Sequence, residues 1–297
     1  MQILSCEHHI FAFSRDEPPV LTVKSGETLQ IETMDCFSNQ LRTEDDRLDG
    51  IDWDQVNPAT GPIFVEGAEP GDVLKVFIEK IELSEQGAMA TGEGLGVLGH
   101  KMKGMYEKII PIKDGRAVFN DLIHIPLNRM IGVIGVAPEG GPVACGTPGS
   151  HGGNMDNKRI TEKTTVYFPV AVTGALFALG DVHSAMGDGE VGVSGVENSA
   201  MVTVRVEVIK GMQCSNPLIE TEDVVATIAS HEEIEKAITI AVEDMERLLT
   251  EKRPMETPEM AMLFSAVGNV EICQVVDPLK TVRFSVPLYI YNFFRNR

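Results

Sequence analysis

The sequence predicts an α+β fold that is mainly β, and three observations carry that reading. Many short runs of alternating or β-branched apolar residues are separated by Gly, Pro and Asp, the punctuation of a chain that turns often. Clear helical periodicity appears only late, between residues 231 and 268. Strands early and helices late argue against repeated β-α-β units.

Residues 18–35 read as a hairpin, with arms 20–23 and 28–35 about the turn Lys24-Ser-Gly-Glu27 and with Asp35 at the end of the second arm. The turn Glu69-Pro-Gly-Asp72 opens another strand, in which Leu74, Val76 and Ile78 alternate with Lys75, Phe77 and Glu79 before the run continues to Leu83. Residues 84–93 are polar and glycine-bearing and do not read as a strand. Further β-like runs lie at 107–112, 117–125, 131–137, 164–172, 175–182, 200–209 and 282–291. Ser230 is placed to cap a helix opening at His231, with Glu233 completing an S-x-x-E box. Ile234, Ala237, Ile238, Ala241, Val242, Met245, Leu248 and Leu249 then recur at helical spacing to Lys252, and Pro254 marks the stop. A second helix opens at Thr257-Pro258 and ends near Gly268. With no internal repeat or linker, the chain reads as one unit over 1–297, divisible into a β-rich part, 1–215, and an α+β portion, 216–297.

A formal charge of -19 on 297 residues excludes nucleic acid and an anionic membrane surface as expected partners, because phosphate binding needs clustered Lys and Arg. A neutral or cationic small ligand fits better. Five cysteines (Cys6, Cys36, Cys145, Cys214, Cys273) form no C-x-x-C pair, so neither a disulfide framework nor a thiolate zinc cluster is indicated, and a reducing cytoplasm is the expected location. The start of the sequence contains Glu7, His8 and His9 instead of a signal-peptide pattern. The longest apolar stretch, 166–179, is broken by Pro169 and Gly174 and falls short of the ~20 residues that span a bilayer. The apolar run 286–294 either completes a sheet or packs across a subunit interface, and a dimer is expected.

Three polar, glycine-rich segments invite a chemical reading. Gly94-Leu-Gly96-Val-Leu-Gly99 matches G-x-G-x-x-G but lacks a β-α-β context, so it reads as a glycine-rich loop and not a dinucleotide site. In Gly146-Thr-Pro-Gly-Ser-His151-Gly-Gly-Asn154-Met-Asp156, the backbone of Gly152 and Gly153 can point successive N–H groups into one concavity, with His151 and Asn154 beside them. In Gly180-Asp-Val-His-Ser-Ala-Met-Gly-Asp-Gly-Glu190, Asp181 and His183 are two apart and leave one face of an extended strand, which suits a shared borderline cation such as zinc. Glu190 or the distant Asp35 can add an oxygen, whereas Asp188 and Gly189 also suit the simple shaping of a turn. Glu197 follows where the chain returns past this loop and is a candidate general base.

Taken in order, these segments resemble the acetamidase/formamidase family. The resemblance rests on Gly71-Asp-Val-Leu74, Gly132-Val-Ile-Gly-Val-Ala-Pro138, His151-Gly-Gly-Asn-Met-Asp156, Gly180-Asp-Val-His183 with Gly187-Asp-Gly-Glu190, and Gln274-Val-Val-Asp277-Pro278. It implies a β-sandwich-like fold and hydrolysis of a short aliphatic amide, formamide or acetamide, to a carboxylate and ammonia. On that reading a divalent ion, zinc first, sits on Asp35, Asp181 and His183. Glu190 or Glu197 is then the base, His151 and Asn154 complete the catalytic group, and Gly152, Gly153 and Asp188 contact substrate. No serine or cysteine lies beside an obvious base in the sequence, which favours activated water over an acyl-enzyme. Two alternatives stand beside this: a catalytically silent metal- or small-ligand-binding β-rich protein, and a hydrolase of another non-peptide C–N bond.

Overall fold

The Glu69-Pro-Gly-Asp72 turn launches the longest strand of the computed structural model, which describes residues 1–295: Val73–Gly92, 20 residues. Leu74, Val76 and Ile78 are buried along it, as the period of two requires. Residues 84–92 belong to the same strand, contrary to the expectation from their polarity. Glu197–Ile209 pairs with the strand along one side, and Met105–Lys113 pairs with its far end along the other. Ladder hydrogen bonds on both sides outweigh the weak strand propensity of polar residues and glycine.

From Glu197–Ile209 this first layer continues to Thr28–Thr33 and, in parallel, to Gln2–Leu4. On the opposite flank it runs through Thr165–Pro169 and Leu218–Glu220 to Val224–His231, Lys280–Pro287 and Asn269–Gln274. A second layer pairs Leu21–Lys24, Ala59–Glu66, Phe177–His183, Met130–Gly135 and Gly152–Asn154 in that order. The layers face each other across one apolar core, to which the first contributes Leu29, Ile31, Val76 and Val202 and the second Ile63, Ile134, Phe177 and Leu179. The architecture is therefore mainly β and sandwich-like. At one corner the two layers are hydrogen-bonded together, with Val182 opposite Asn198 and His183 opposite Glu197.

The expected hairpin over 18–35 is not formed. Leu21–Lys24 lies parallel to Ala59–Glu66 while Thr28–Thr33 joins Glu197–Ile209, so the Lys24-Ser-Gly-Glu27 turn passes the chain between layers and lets Val23 and Leu29 enter the core from different sheets. A second difference concerns the first helix, α1 (Ile234–Thr250), which begins later than Ser230 implies. Strand Val224–His231 pairs with Lys280–Pro287 as far as His231, and Ser230 Oγ lies 2.9 Å from Thr281 Oγ1 instead of capping. The helical stripe itself is as expected: Ala237, Ala241, Met245 and Leu249 are buried against Val225, Val282 and Val286. Helix α2 (Thr257–Val267) has proline in its first turn and Gly268 after its end, also as expected. The run expected as a strand over 282–291 divides at Pro287, which has no N–H to extend a ladder, and helix α3 (Leu288–Arg295) follows with Tyr291 and Phe294 buried. Among the described residues no helix is long and apolar enough to cross a membrane.

Candidate active site

The corner where the layers join places Asp181 and His183, at the end of Phe177–His183, beside Glu197, the first residue of its strand. Three loops close around them. Asp156 follows the short strand Gly152–Asn154, Glu190 lies on the loop after His183, and Asp277 comes from the turn after Asn269–Gln274. All of these residues except Asp277, which is partly buried, are almost inaccessible to solvent. His183 Nε2 lies 3.0 Å from Glu197 Oε2, 3.3 Å from Asp181 Oδ1 and 3.7 Å from Asp156 Oδ1. Room for this crowding depends on Gly132, where a Cβ would collide with Asp156 Oδ1 and Asp181 Oδ2.

The groups are held by specific bonds. Gln274 Oε1 accepts from the backbone N–H of Val276 and Asp277 at 2.9 and 3.0 Å, and Asn154 Nδ2 donates to Asp277 Oδ2 at 3.0 Å. The Glu190 loop is tied to the neighbouring strand by Gly189 N–H to Cys273 O, 2.8 Å, and Val275 N–H to Gly189 O, 3.2 Å. Beneath it the fully buried Arg283 grips Asp188 through Nη1 and Nη2 at 2.9 and 2.7 Å, and also reaches Asn157 Oδ1 at 3.0 Å. One guanidinium thus supports the neighbour of Asp156 and the turn that carries Glu190.

Five carboxyl groups share this space with one imidazole, and burial makes multiple negative charges there costly. Burial first, then the Asp181 charge among others, pushes Asp156 up to about 7. Burial pushes Glu197 up to about 8 against the opposing pull of His183. Glu190 and Asp277 are raised well above the carboxylate range, again by burial and then by Asp156. Burial would also raise Asp181, yet His183 holds it below its ordinary value. Burial alone would lower His183, but Glu197 and Asp181 raise it well above the usual imidazole range. Without another cation, the pocket therefore balances an imidazolium and the Asp181 carboxylate against protonated neighbours.

A small cavity of about 150 Å³ opens onto this group. Its lining combines the polar Asn154, Asp156, Asp181, Glu190, Glu197 and Asp277 with the apolar Phe37, Leu48, Trp53, Val56, Ala90 and Leu95. Asp156 Oδ1, His183 Nδ1 and Asn154 Oδ1 are buried with no hydrogen-bond partner, while Glu197 Oε2 faces His183 Nε2 at 3.0 Å. Donor atoms of Asp156, His183 and Glu190 lie within 4.8 Å of one another, as do those of Cys36, Asp181 and Glu197. Unsatisfied buried oxygen and nitrogen donors at such spacing fit a divalent cation.

Several sequence-expected residues lie elsewhere. Asp35 belongs to neither donor group and does not line the cavity, and its Oδ1 accepts from the backbone N–H of Phe37 and Asn39 at 3.0 and 2.7 Å. Burial raises it to about 6. His151 is buried with its ring 5.2 Å from that of Phe13 and does not line the cavity; burial lowers its pKa to about 4. Gly152 and Gly153 adopt φ of +102° and +76°, but the Gly152 N–H is already donated to Gly149 O at 3.1 Å and is not free for an oxyanion. Asp188 faces Arg283 and Lys158, not the cavity.

Asp156 and Asp277 stand inside motifs visible in the sequence, but nothing local distinguishes a pocket acid from a turn acid. Cys36 corrects the expectation that no thiol adjoins a base, since it lines the cavity beside Glu197. Its thiol is raised well above its ordinary value by burial and then by the Glu197 charge. The G-x-G-x-x-G segment is a loop leading into a short 3₁₀ turn, Gly99–Lys101, and not into the α-helix that a dinucleotide fingerprint opens.

Known proteins share this fold and much of this sequence. The acetamidase/formamidase family model matches residues 7–141 and 143–252. A formamidase from Methylophilus methylotrophus is 29% identical over 257 residues, covering 66% of this chain and 62% of that protein, so the chain spans somewhat under two thirds of that relative's length. A crystal structure of a predicted acetamidase/formamidase from Thermoanaerobacter tengcongensis is 58% identical with a TM-score of 0.98, covering 100% of this chain and 98% of that one. An acetamidase structure from Bacillus halodurans is 43% identical with a TM-score of 0.96, covering 98% and 99% of the two chains. With the family model matched over most of its length and the whole sandwich shared, this chain belongs to the acetamidase/formamidase family.

Proposed function

We propose that the protein is an amidohydrolase that cleaves a short aliphatic amide, such as formamide or acetamide, to a carboxylate and ammonia. The observation that carries this reading is the cavity of about 150 Å³ lined by both carboxylates and apolar side chains, too small for a drug-sized ligand and suited to a few heavy atoms. A hydrolase of other C–N bonds and a silent binding protein are the alternative readings of the same cavity.

In this reading the unpaired Asn154 Oδ1 accepts from the substrate N–H₂ and orients the amide. Glu197, which lines the cavity 3.0 Å from His183 Nε2 and is ionised when a cation sits beside it, takes the proton from the attacking water and passes it to the departing nitrogen. Asp156, Asp181 and His183 would hold a divalent ion, zinc first, with Glu190 in reach; Asp156 takes the place expected for Asp35. Such an ion, when bound, acidifies water and stabilises negative charge developing on the carbonyl oxygen. Cys36 shapes the pocket and stays a thiol, because burial beside Glu197 opposes the thiolate. Free cysteines and the acidic composition support a cytoplasmic location, and we propose a dimer.

The test is ammonia release from formamide and acetamide by purified protein, before and after chelation, alongside metal analysis and size-exclusion chromatography. Turnover lost on chelation and restored by zinc is the expected result. Full activity after complete metal removal overturns the metal part, and no turnover of any short amide overturns the hydrolase reading.

A further inference from the structure

The apolar side of the cavity comes from a part of the chain separate from the sandwich core. Cys36, Phe37, Leu41, Leu48 and Ile51 form their own cluster with Ala88 and Ala90, which project from the far half of the long Val73–Gly92 strand. Ala88 is the register partner of Glu197, so Ala90, two residues further along, is fixed relative to the reacting group. Its backbone is pinned as well: Ala90 N–H donates to Ser194 Oγ at 2.9 Å, and Ser194 Oγ donates back to Ala90 O at 3.1 Å. Trp53, the only tryptophan in the chain, lines the same wall from the 3₁₀ turn Trp53–Gln55 and is 48% exposed, which puts it at the mouth.

We propose that this wall is the acyl subsite: Ala90 sets the depth available to the substituent on the amide carbon, and Trp53 covers it at the mouth. The inference rests on the hydrolase reading above and adds to it the residues that select chain length. An amide oriented by Asn154 in a cavity this small meets with its alkyl group the apolar part of the lining, which includes Phe37, Leu48, Val56 and Ala90. A methyl group at Ala90 leaves space that a larger side chain fills. Adding or refusing one methylene in such a pocket changes kcat/KM by about 10-fold or more.

The test measures kcat/KM for formamide, acetamide and propionamide in the metal-loaded protein, its Ala90→Leu variant and its Trp53→Ala variant, with melting temperatures as a fold control. Ala90→Leu is expected to cut propionamide and acetamide at least about 10-fold more than formamide, and Trp53→Ala to cut propionamide more than formamide. Equal losses for all three amides in folded variants overturn the proposal and leave the hydrolase reading intact. Should Ala90→Leu fail to fold, the exposed Trp53 position decides alone. Trp53 emission during titration of Glu197→Gln protein with the same amides gives a readout independent of turnover. A saturable response that tightens with chain length supports the wall even if no amide is hydrolysed by the unmodified protein, in which case only the hydrolase reading fails; no response overturns the wall.

Discussion

Asp188 and Glu190 are two residues apart, yet they belong to acidic groups of opposite character. Asp188, with Glu271, is neutralised by permanent cations: Arg283 Nη2 lies 2.7 Å from Asp188 and 3.0 Å from Glu271, and Lys158 Nζ lies 2.8 Å from Asp188. Although burial raises both acids, the bonds from Arg283 hold them below their ordinary values. Glu190 shares its space with Asp156, Asp181, Glu197 and Asp277, whose one built-in cation is His183, and all but Asp181 are raised. An acid with a guanidinium partner is finished as structure. One whose only remedy is a proton or a bound cation is available for chemistry.

The strongest way to break this distinction is to neutralise one acid from each group. Glu197→Gln is expected to lower amide turnover by about 10²–10⁴-fold with no loss of melting temperature, whereas Asp188→Asn retains activity within about 10-fold. Equal losses in ammonia-release assays would erase the contrast. The next effect is on stability: Arg283→Met removes the cation shared by Asp188 and Glu271, leaving Asp188 with Lys158 and Glu271 with Arg159, and is expected to cost about 1–3 kcal/mol in urea unfolding. Combining it with Asp188→Asn and Glu271→Gln should recover a large part of that loss.

A cation should distinguish the groups in the same way. Zinc at ~100 times its dissociation constant is expected to add about 2.7 kcal/mol to the unfolding free energy. Asp156→Asn should reduce that gain and Asp188→Asn should leave it unchanged, as read by thermal melts with and without the ion. The smallest effect is the pH dependence of the metal-free protein. Asp156 at about 7 and Glu197 at about 8 bind protons more tightly folded than unfolded, so ν_U − ν_N is negative and their contribution falls as pH rises from about 4 toward 8. Asp188 and Glu271 have the opposite sign, contributing above about pH 4 and losing that contribution as pH falls below it. Urea midpoints for Glu197→Gln that decline as steeply over pH 5–8 as those of the unmodified protein would remove Glu197 from the first group.

Much of the candidate site was legible because its chemistry is clustered in the chain. Asp181, His183, Glu190 and Glu197 lie within 17 consecutive residues, and in the structure the three acids line the cavity while His183 contacts Asp181 and Glu197. Asp35, His151 and Asp188 have equally suggestive neighbours, and they serve as a turn acceptor, an aromatic-packed buried histidine and an ion-pair partner. No local signal separates these cases, because a carboxylate or imidazole has the same identity whether it faces a cavity or a guanidinium. The helix expected from Ser230 shows the same limit. A capping box is a local preference of about 1 kcal/mol, and ladder bonds from Lys280–Pro287 keep Ser230 in a strand instead.

By itself the sequence determined the fold class, the two amphipathic helices, the family pattern and the loop that presents Glu190, all of which follow from periodicity, turn chemistry and motif order within short stretches. Tertiary structure alone decided that residues 24–27 pass between sheets, that residues 84–92 extend a strand, and that Asp156, Asp277 and Cys36 join His183. Those outcomes depend on which backbone edges pair and which acids lose water together, and both involve contacts between residues distant in the sequence, such as Cys36 with Glu197 and Asn154 with Asp277.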